Sequence, residues 1–97
     1  MKLSQLPQYS GVKYAVAGET RGKLVAIGPN FRVVVEKNWD DTWYVLIHTD
    51  LDGDMHAGEY GIDLKWSRNT MLCVMDSVIR YYLGKGDFPV QLKNFVI

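Results

Sequence analysis

Ninety-seven residues, 47% of them apolar, are enough for one domain with a small core, and a composition this apolar argues against disorder. Eleven basic residues balance eleven acidic ones, which excludes a protein held to nucleic acid or anionic lipid by bulk charge alone. The single cysteine excludes an internal disulfide, so stability must come from packing, and the chain suits a reducing compartment.

Taken in order, residues 1–10 form a short helical turn or an irregular arm, interrupted by Pro7 and ended by Ser10 and Gly11. They contain no apolar run resembling a signal peptide. The longest continuous apolar run, residues 43–47, is far too short to span a bilayer, so the expected location is the cytoplasm, with no membrane partner. Val12, Tyr14 and Val16 alternate with Lys13, Ala15 and Ala17, which predicts a first strand before Gly18 and Gly22 turn the chain. Residues 23–27 make a second strand, and Gly28, Pro29 and Asn30 reverse it into a third over 31–37. Residues 38–41, polar except for Trp39, turn the chain again into 42–49. That segment is apolar on both faces, with Trp43, Val45 and Ile47 on one side and Tyr44 and Leu46 on the other, as expected of a central strand.

After an acidic loop over 50–58 comes the clearest alternation: Tyr60, Ile62, Leu64 and Trp66 inward, Glu59, Gly61, Asp63 and Lys65 outward. Gly61 within it predicts a bulge or a close backbone approach. Residues 67–84 then read as an amphipathic helix. Met71, Met75, Val78 and Tyr82, flanked by Leu72 and Ile79, recur at the spacing that stacks side chains along one helical face. Ser67 or Asn69 can cap its start, and Gly84 can take the left-handed conformation that ends it. Beyond a loop over 85–89, residues 90–97 add an edge strand or lie along the helix flank. The expected fold is α+β: an antiparallel meander of four to five strands in a single domain, 1–97, with one long C-terminal helix packed on one face.

Charge is distributed unevenly along this frame. Residues 38–64 contain no lysine or arginine and carry Asp40, Asp41, Asp50, Asp52, Asp54, Glu59 and Asp63, a formal charge of −7, against +4 for residues 1–37 and +3 for residues 65–97. Asp is favoured in turns for local reasons. Gathered on one surface, these seven carboxylates would instead attract a basic partner and speed its association. In a meander, however, the 38–41 turn and the 50–58 loop fall at opposite ends of the intervening strand, so one patch requires outward carboxylates such as Asp63 to bridge them. Trp39 and Tyr44 are the aromatic anchors such a surface would use.

Chemistry is sparse. His48, Asp50, Asp52, Asp54 and His56 place five potential metal ligands at alternate positions. Counted from Asp50, an EF-hand-like loop would need glycine at position 6 and a bidentate Glu at 12, where this chain has Met55 and Gly61. A transition-metal site using both imidazoles and Asp50 is the alternative. Cys73 has no histidine near it in sequence and falls on the polar flank of the helix with Asp76, Ser77 and Arg80; the last three residues include a weak surface ion pair, Asp76 with Arg80. Gly84, Lys85 and Gly86 follow a helix and do not open one, so they are a helix end and not a phosphate loop. No enzyme activity and no cofactor are expected.

Three functions fit. The first is a small non-catalytic binding protein, a viral or mobile-element inhibitor whose acidic surface occupies a basic site on a host nucleic-acid enzyme. The second is a nucleic-acid-binding domain using Arg21, Lys23 and Arg32, with Lys37, Lys65 and Arg68 nearby and Tyr14 or Tyr44 for stacking. The third is a metal-dependent site over 48–56. Apolar excess on the helix, through Val74 and Tyr81, and on the sheet face carrying Val34, Tyr44 and Leu46 also allows an association patch, including a homodimer, unless the terminal segments cover it.

Overall fold

The computed structural model describes residues 5–17, 23–49 and 58–93. Five strands, β1 (Lys13–Ala17), β2 (Lys23–Ile27), β3 (Phe31–Lys37), β4 (Trp43–Thr49) and β5 (Gly58–Ile62), are followed by helix α1 (Arg68–Tyr82) and a 3-10 turn, Val90–Leu92. Each strand pairs antiparallel with the next, so the order across the sheet is the order along the chain. This is the α+β meander with a single C-terminal helix that the alternation and the helical periodicity predict.

Because strand side chains alternate between faces, the register sorts them completely. Leu24 and Ala26 of β2, Phe31, Val33 and Val35 of β3, Trp43, Val45 and Ile47 of β4, and Tyr60 and Ile62 of β5 all point to one face and are buried. Against them α1 buries Met71, Leu72, Val74, Met75, Val78 and Ile79. At about 1.5 to 3 kcal/mol for each side chain, that helical face contributes about 9 to 18 kcal/mol as an upper bound. Val74 belongs to the buried arc, while Tyr82 is half-buried at its edge and Tyr81 is largely outside it. Those two tyrosines join an aromatic group instead: Tyr81 sits edge-on to Tyr82 and to Phe88 at 5.0 and 5.3 Å, and Phe31 stacks on Tyr82 at 5.8 Å.

The helix ends are set by their caps. Ser67 Oγ accepts the Thr70 backbone N–H at 3.1 Å. At the other end Gly84, with φ 73°, donates to the Tyr81 carbonyl while Lys85 donates to that of Arg80, the paired bonds of a Schellman motif.

Three expectations change. β5 stops at Ile62 instead of running to Trp66, because Ile62 pairs with Trp43, the first residue of β4, and nothing beyond it offers a ladder partner. Leu64 is consequently 47% exposed, whereas Trp66 returns to the core edge and its carbonyl accepts the Trp43 indole N–H at 2.8 Å. Gly61 marks no bulge, since the β4–β5 register is continuous from Trp43 with Ile62 to Ile47 with Gly58. The C-terminal segment adds no edge strand within the described residues; Val90–Leu92 turns Leu92 fully into the core.

The N-terminal arm packs on the same side. Leu6 is buried in the core, the Tyr9 hydroxyl donates to Asp76 of α1 at 3.2 Å, and the Tyr14 hydroxyl donates to the Pro7 carbonyl. Asp76 is thereby tied to the arm, while Arg80, its expected partner, lies against Gly86.

Candidate interaction surface

The β3–β4 turn is built from side chains suited to it. Asn38 donates its backbone N–H to the Thr42 carbonyl at 2.7 Å and its side-chain amide to Thr42 Oγ1 at 3.0 Å, and Asp41 donates to the Asn38 carbonyl at 3.1 Å. Asp40 Oδ1 accepts from both the backbone N–H and the hydroxyl of Thr42. Asp41 takes φ 69°, the left-handed position that closes a three-residue hairpin loop. This lattice of bonds fixes the backbone that carries Trp39, which is 81% exposed. The hydrogen bonds from Thr42, first from its hydroxyl and then from its backbone, hold the Asp40 carboxyl below the usual carboxylate value of 3.8, and Lys65 adds a smaller pull.

Asp63 follows Ile62, which pairs with Trp43, so Asp63 stands at this same end of the sheet and is exposed. Trp39, Asp40, Asp41 and Asp63 therefore share one rim. Two lysines share it as well: Lys37 Nζ is 3.4 Å from Asp41 Oδ1 and 5.7 Å from the Trp43 ring centre, and Lys65 acts on Asp40.

The other expected contact residues lie elsewhere. Glu59 pairs with Leu46 in mid-strand, about 10 Å from the rim by strand rise. There it acts on Tyr44: partial burial, then the hydrogen bond that the Tyr44 hydroxyl donates to Glu59, raises the Tyr44 pKa above 10.0. Asp50, Asp52 and Asp54 lie outside the described residues. They follow Thr49, which is at the far end of β4, about 20 Å along the strand from the turn. The described carboxylates of the acidic segment thus fall into two groups, a rim of three and a mid-sheet Glu59, and do not form one continuous patch.

The helix-free face of the sheet is the second exposed feature. Its middle row, read from the register, is Ala15, Val25, Val34, Leu46 and Glu59. On one side run Lys13, Ile27, Arg32 and His48; on the other run Lys23, Glu36, Tyr44 and Gly61. Val34, Tyr44 and Leu46 have this address in the sequence analysis, whereas Ala15, Val25 and Ile27 were not singled out there, although extending the same alternation to β1 and β2 places them. Both described terminal segments pack on the opposite face, so neither covers this one.

Of the basic residues expected to meet nucleic acid, Arg21 lies outside the described residues, Lys23 and Arg32 are on this open face with Glu36 on the strand of Arg32 and 3.8 Å from Lys23, and Lys37 and Lys65 are at the acidic rim. Tyr14 points to the core side and is half-buried, which removes it as a stacking platform. His48 is on the open face and His56 is outside the described residues. Among the described residues no group of three or more His, Cys, Asp or Glu side chains could hold a metal ion, Cys73 is exposed on α1, and no helix is long and apolar enough to cross a membrane. Comparison with protein-family models, curated proteins and solved structures gives no match for this chain.

Proposed function

We propose that this is a non-catalytic, cytoplasmic protein-binding domain that captures a basic protein surface, with Trp39 as its anchor. The observation that carries the reading is an indole 81% exposed on a turn whose backbone is already fixed by hydrogen bonds, directly before Asp40 and Asp41 and at the same end of the sheet as Asp63. Tryptophan is among the side chains most enriched at binding hot spots. Because the turn is ordered before contact, little conformational entropy is lost when the indole enters a pocket.

The carboxylates of residues 38–64, offset at the rim by Lys37 and Lys65, supply attraction toward a positive partner, and Trp39 supplies the short-range contact. A nucleic-acid-binding site on another protein, of host origin if this chain is a viral or mobile-element inhibitor, has the complementary charge. Direct binding of DNA or RNA is disfavoured by the same carboxylates.

The test is affinity capture from extract of the source cells with the wild-type chain, Trp39→Ala and Asp63→Lys, each checked for an unchanged melting temperature. Capture of a basic protein that weakens about tenfold or more with Trp39→Ala, and that falls with added salt, is the expected result. Equal capture by wild type and Trp39→Ala overturns the reading, as does salt-sensitive retention of DNA or RNA in a gel shift without protein capture.

A further inference from the structure

We infer that the helix-free face of the sheet is a self-complementary interface that docks a second copy of this chain about a two-fold axis running across the strands along the row Ala15, Val25, Val34 and Leu46. The inference stands apart from the Trp39 reading, because the two use different surfaces.

Val34 is the midpoint of the outward face of β3, with Arg32 two residues before it and Glu36 two residues after it, so the strand carries a cation and an anion at equal distances on either side of an apolar centre. A two-fold axis in the interface plane, crossing β3 at Val34, lays Val34 on its own copy and brings Arg32 of each chain opposite Glu36 of the other. The same operation lays Val25 on Val25 and Leu46 on Leu46, because the register aligns these residues with Val34 in one row. It also sets Ile27, 48% exposed, against the Lys23 stem of the second copy. Reciprocal contacts of this kind define an isologous dimer.

Other occupants fit less well. A polyanion would meet Glu36 and Glu59, and a uniformly basic partner would meet Lys13, Lys23 and Arg32. β3 itself carries both signs, one on either side of an apolar centre, and so matches its own copy, while Glu59, which ends the row on β5, meets its own copy only at the margin of the interface. Two faces packed this way become an aligned sandwich with each sheet's helix outside, the usual way of covering a sheet face that is only partly apolar. The Lys23–Glu36 contact within one chain is 3.8 Å between half-exposed side chains, so Glu36 can turn to Arg32 of the second copy at little cost. A shallow groove of about 260 Å³ between Lys23, Arg32, Glu36 and Tyr44 provides room for that exchange. Five strands about 4.8 Å apart present a patch on the order of 20 Å on each side, about 800 Å² for the two copies together and below the standard size of specific interfaces, so the dimer is weak, reversible and concentration-dependent.

Sedimentation equilibrium over a wide concentration range tests this on the full chain. The wild type is expected to show a monomer–dimer equilibrium that Val34→Glu abolishes. Arg32→Glu and Glu36→Arg, at more exposed positions that leave folding intact, are each expected to weaken it about tenfold, and the double variant carrying both is expected to regain most of the loss. Arg32 and Glu36 are four residues apart on one strand, about 13 Å by strand rise, so rescue cannot come from a direct contact within one chain. A wild type that remains monomeric at every concentration overturns the inference, as does a dimer indifferent to Val34→Glu, or a double swap no tighter than the single variants.

Discussion

The two faces of β3 and β4 carry similar side chains and have opposite fates. Val33, Val35, Val45 and Ile47 are fully buried, while Val34 and Leu46, one residue along, are only half-buried. Nothing in the strands themselves makes this difference. α1, Leu6 and Leu92 lie across the first face, and no described segment lies across the second. A β-branched or aliphatic residue in a strand therefore reports that it fits a pleated surface, and the element opposite decides whether it is core.

Truncating the two faces in turn, in solution dilute enough to disfavour self-association, separates their contributions. Ile47→Ala leaves a cavity under the helix and is expected to cost about 2 to 5 kcal/mol in urea unfolding. Leu46→Ala, its immediate neighbour on the open face, is expected to cost less than about 1.5 kcal/mol, since part of that side chain already contacts water. Equal losses would mean that the open face is covered after all.

The two hairpin turns repeat the contrast at smaller scale. At the β2–β3 turn the Phe31 ring folds back over Gly28, so that a Cβ on Gly28 would clash with the ring edge, and Gly28 closes the turn by donating to the Phe31 carbonyl at 2.9 Å. Gly28→Ala must push a buried ring that stacks on Tyr82, and is expected to cost about 1 to 3 kcal/mol. Phe31→Leu, destabilising alone, should absorb much of the added methyl group, so that the double variant loses less than the sum of the singles. Additive losses would show that the ring does not constrain position 28.

Much of this arrangement is legible in sequence, and the failures have identifiable causes. The α1 boundaries, β2 and β3 follow from local signals: a serine cap, a glycine stop, and strict alternation bounded by turn residues. β5 is over-extended in the sequence analysis because Leu64 and Trp66 continue its alternation, and periodicity does not register that β4, the ladder partner, begins only at Trp43. The C-terminal Val90–Leu92 turn has no periodic signal at all, so its docking by Leu92 is invisible without the fold. For the interaction surface, the rim of Asp40, Asp41 and Asp63 can be anticipated from the meander. Its neutralisation cannot, because Lys37 and Lys65 lie just outside the segment whose charge was summed and are brought to it only by strand pairing.

The smallest effect concerns the β3–β4 turn, which has no ring packed over it and depends on hydrogen bonds in water. Thr42 bonds the ionised Asp40 carboxylate, so the folded-state pKa lies below 3.8. A carboxylate depressed on folding contributes stability that is fully present above its unfolded pKa and is lost as pH falls through the folded value. The destabilisation caused by Thr42→Val should accordingly be measurable near neutral pH and shrink in acid below the Asp40 transition. In the same variant, the Asp40 carboxyl titration followed by NMR should return toward 3.8. An Asp40 midpoint that does not move would assign the depression to the backbone N–H of residue 42, which the variant keeps, with Lys65 behind it, and would leave the hydroxyl bond as a consequence of the turn's shape and not a cause of it.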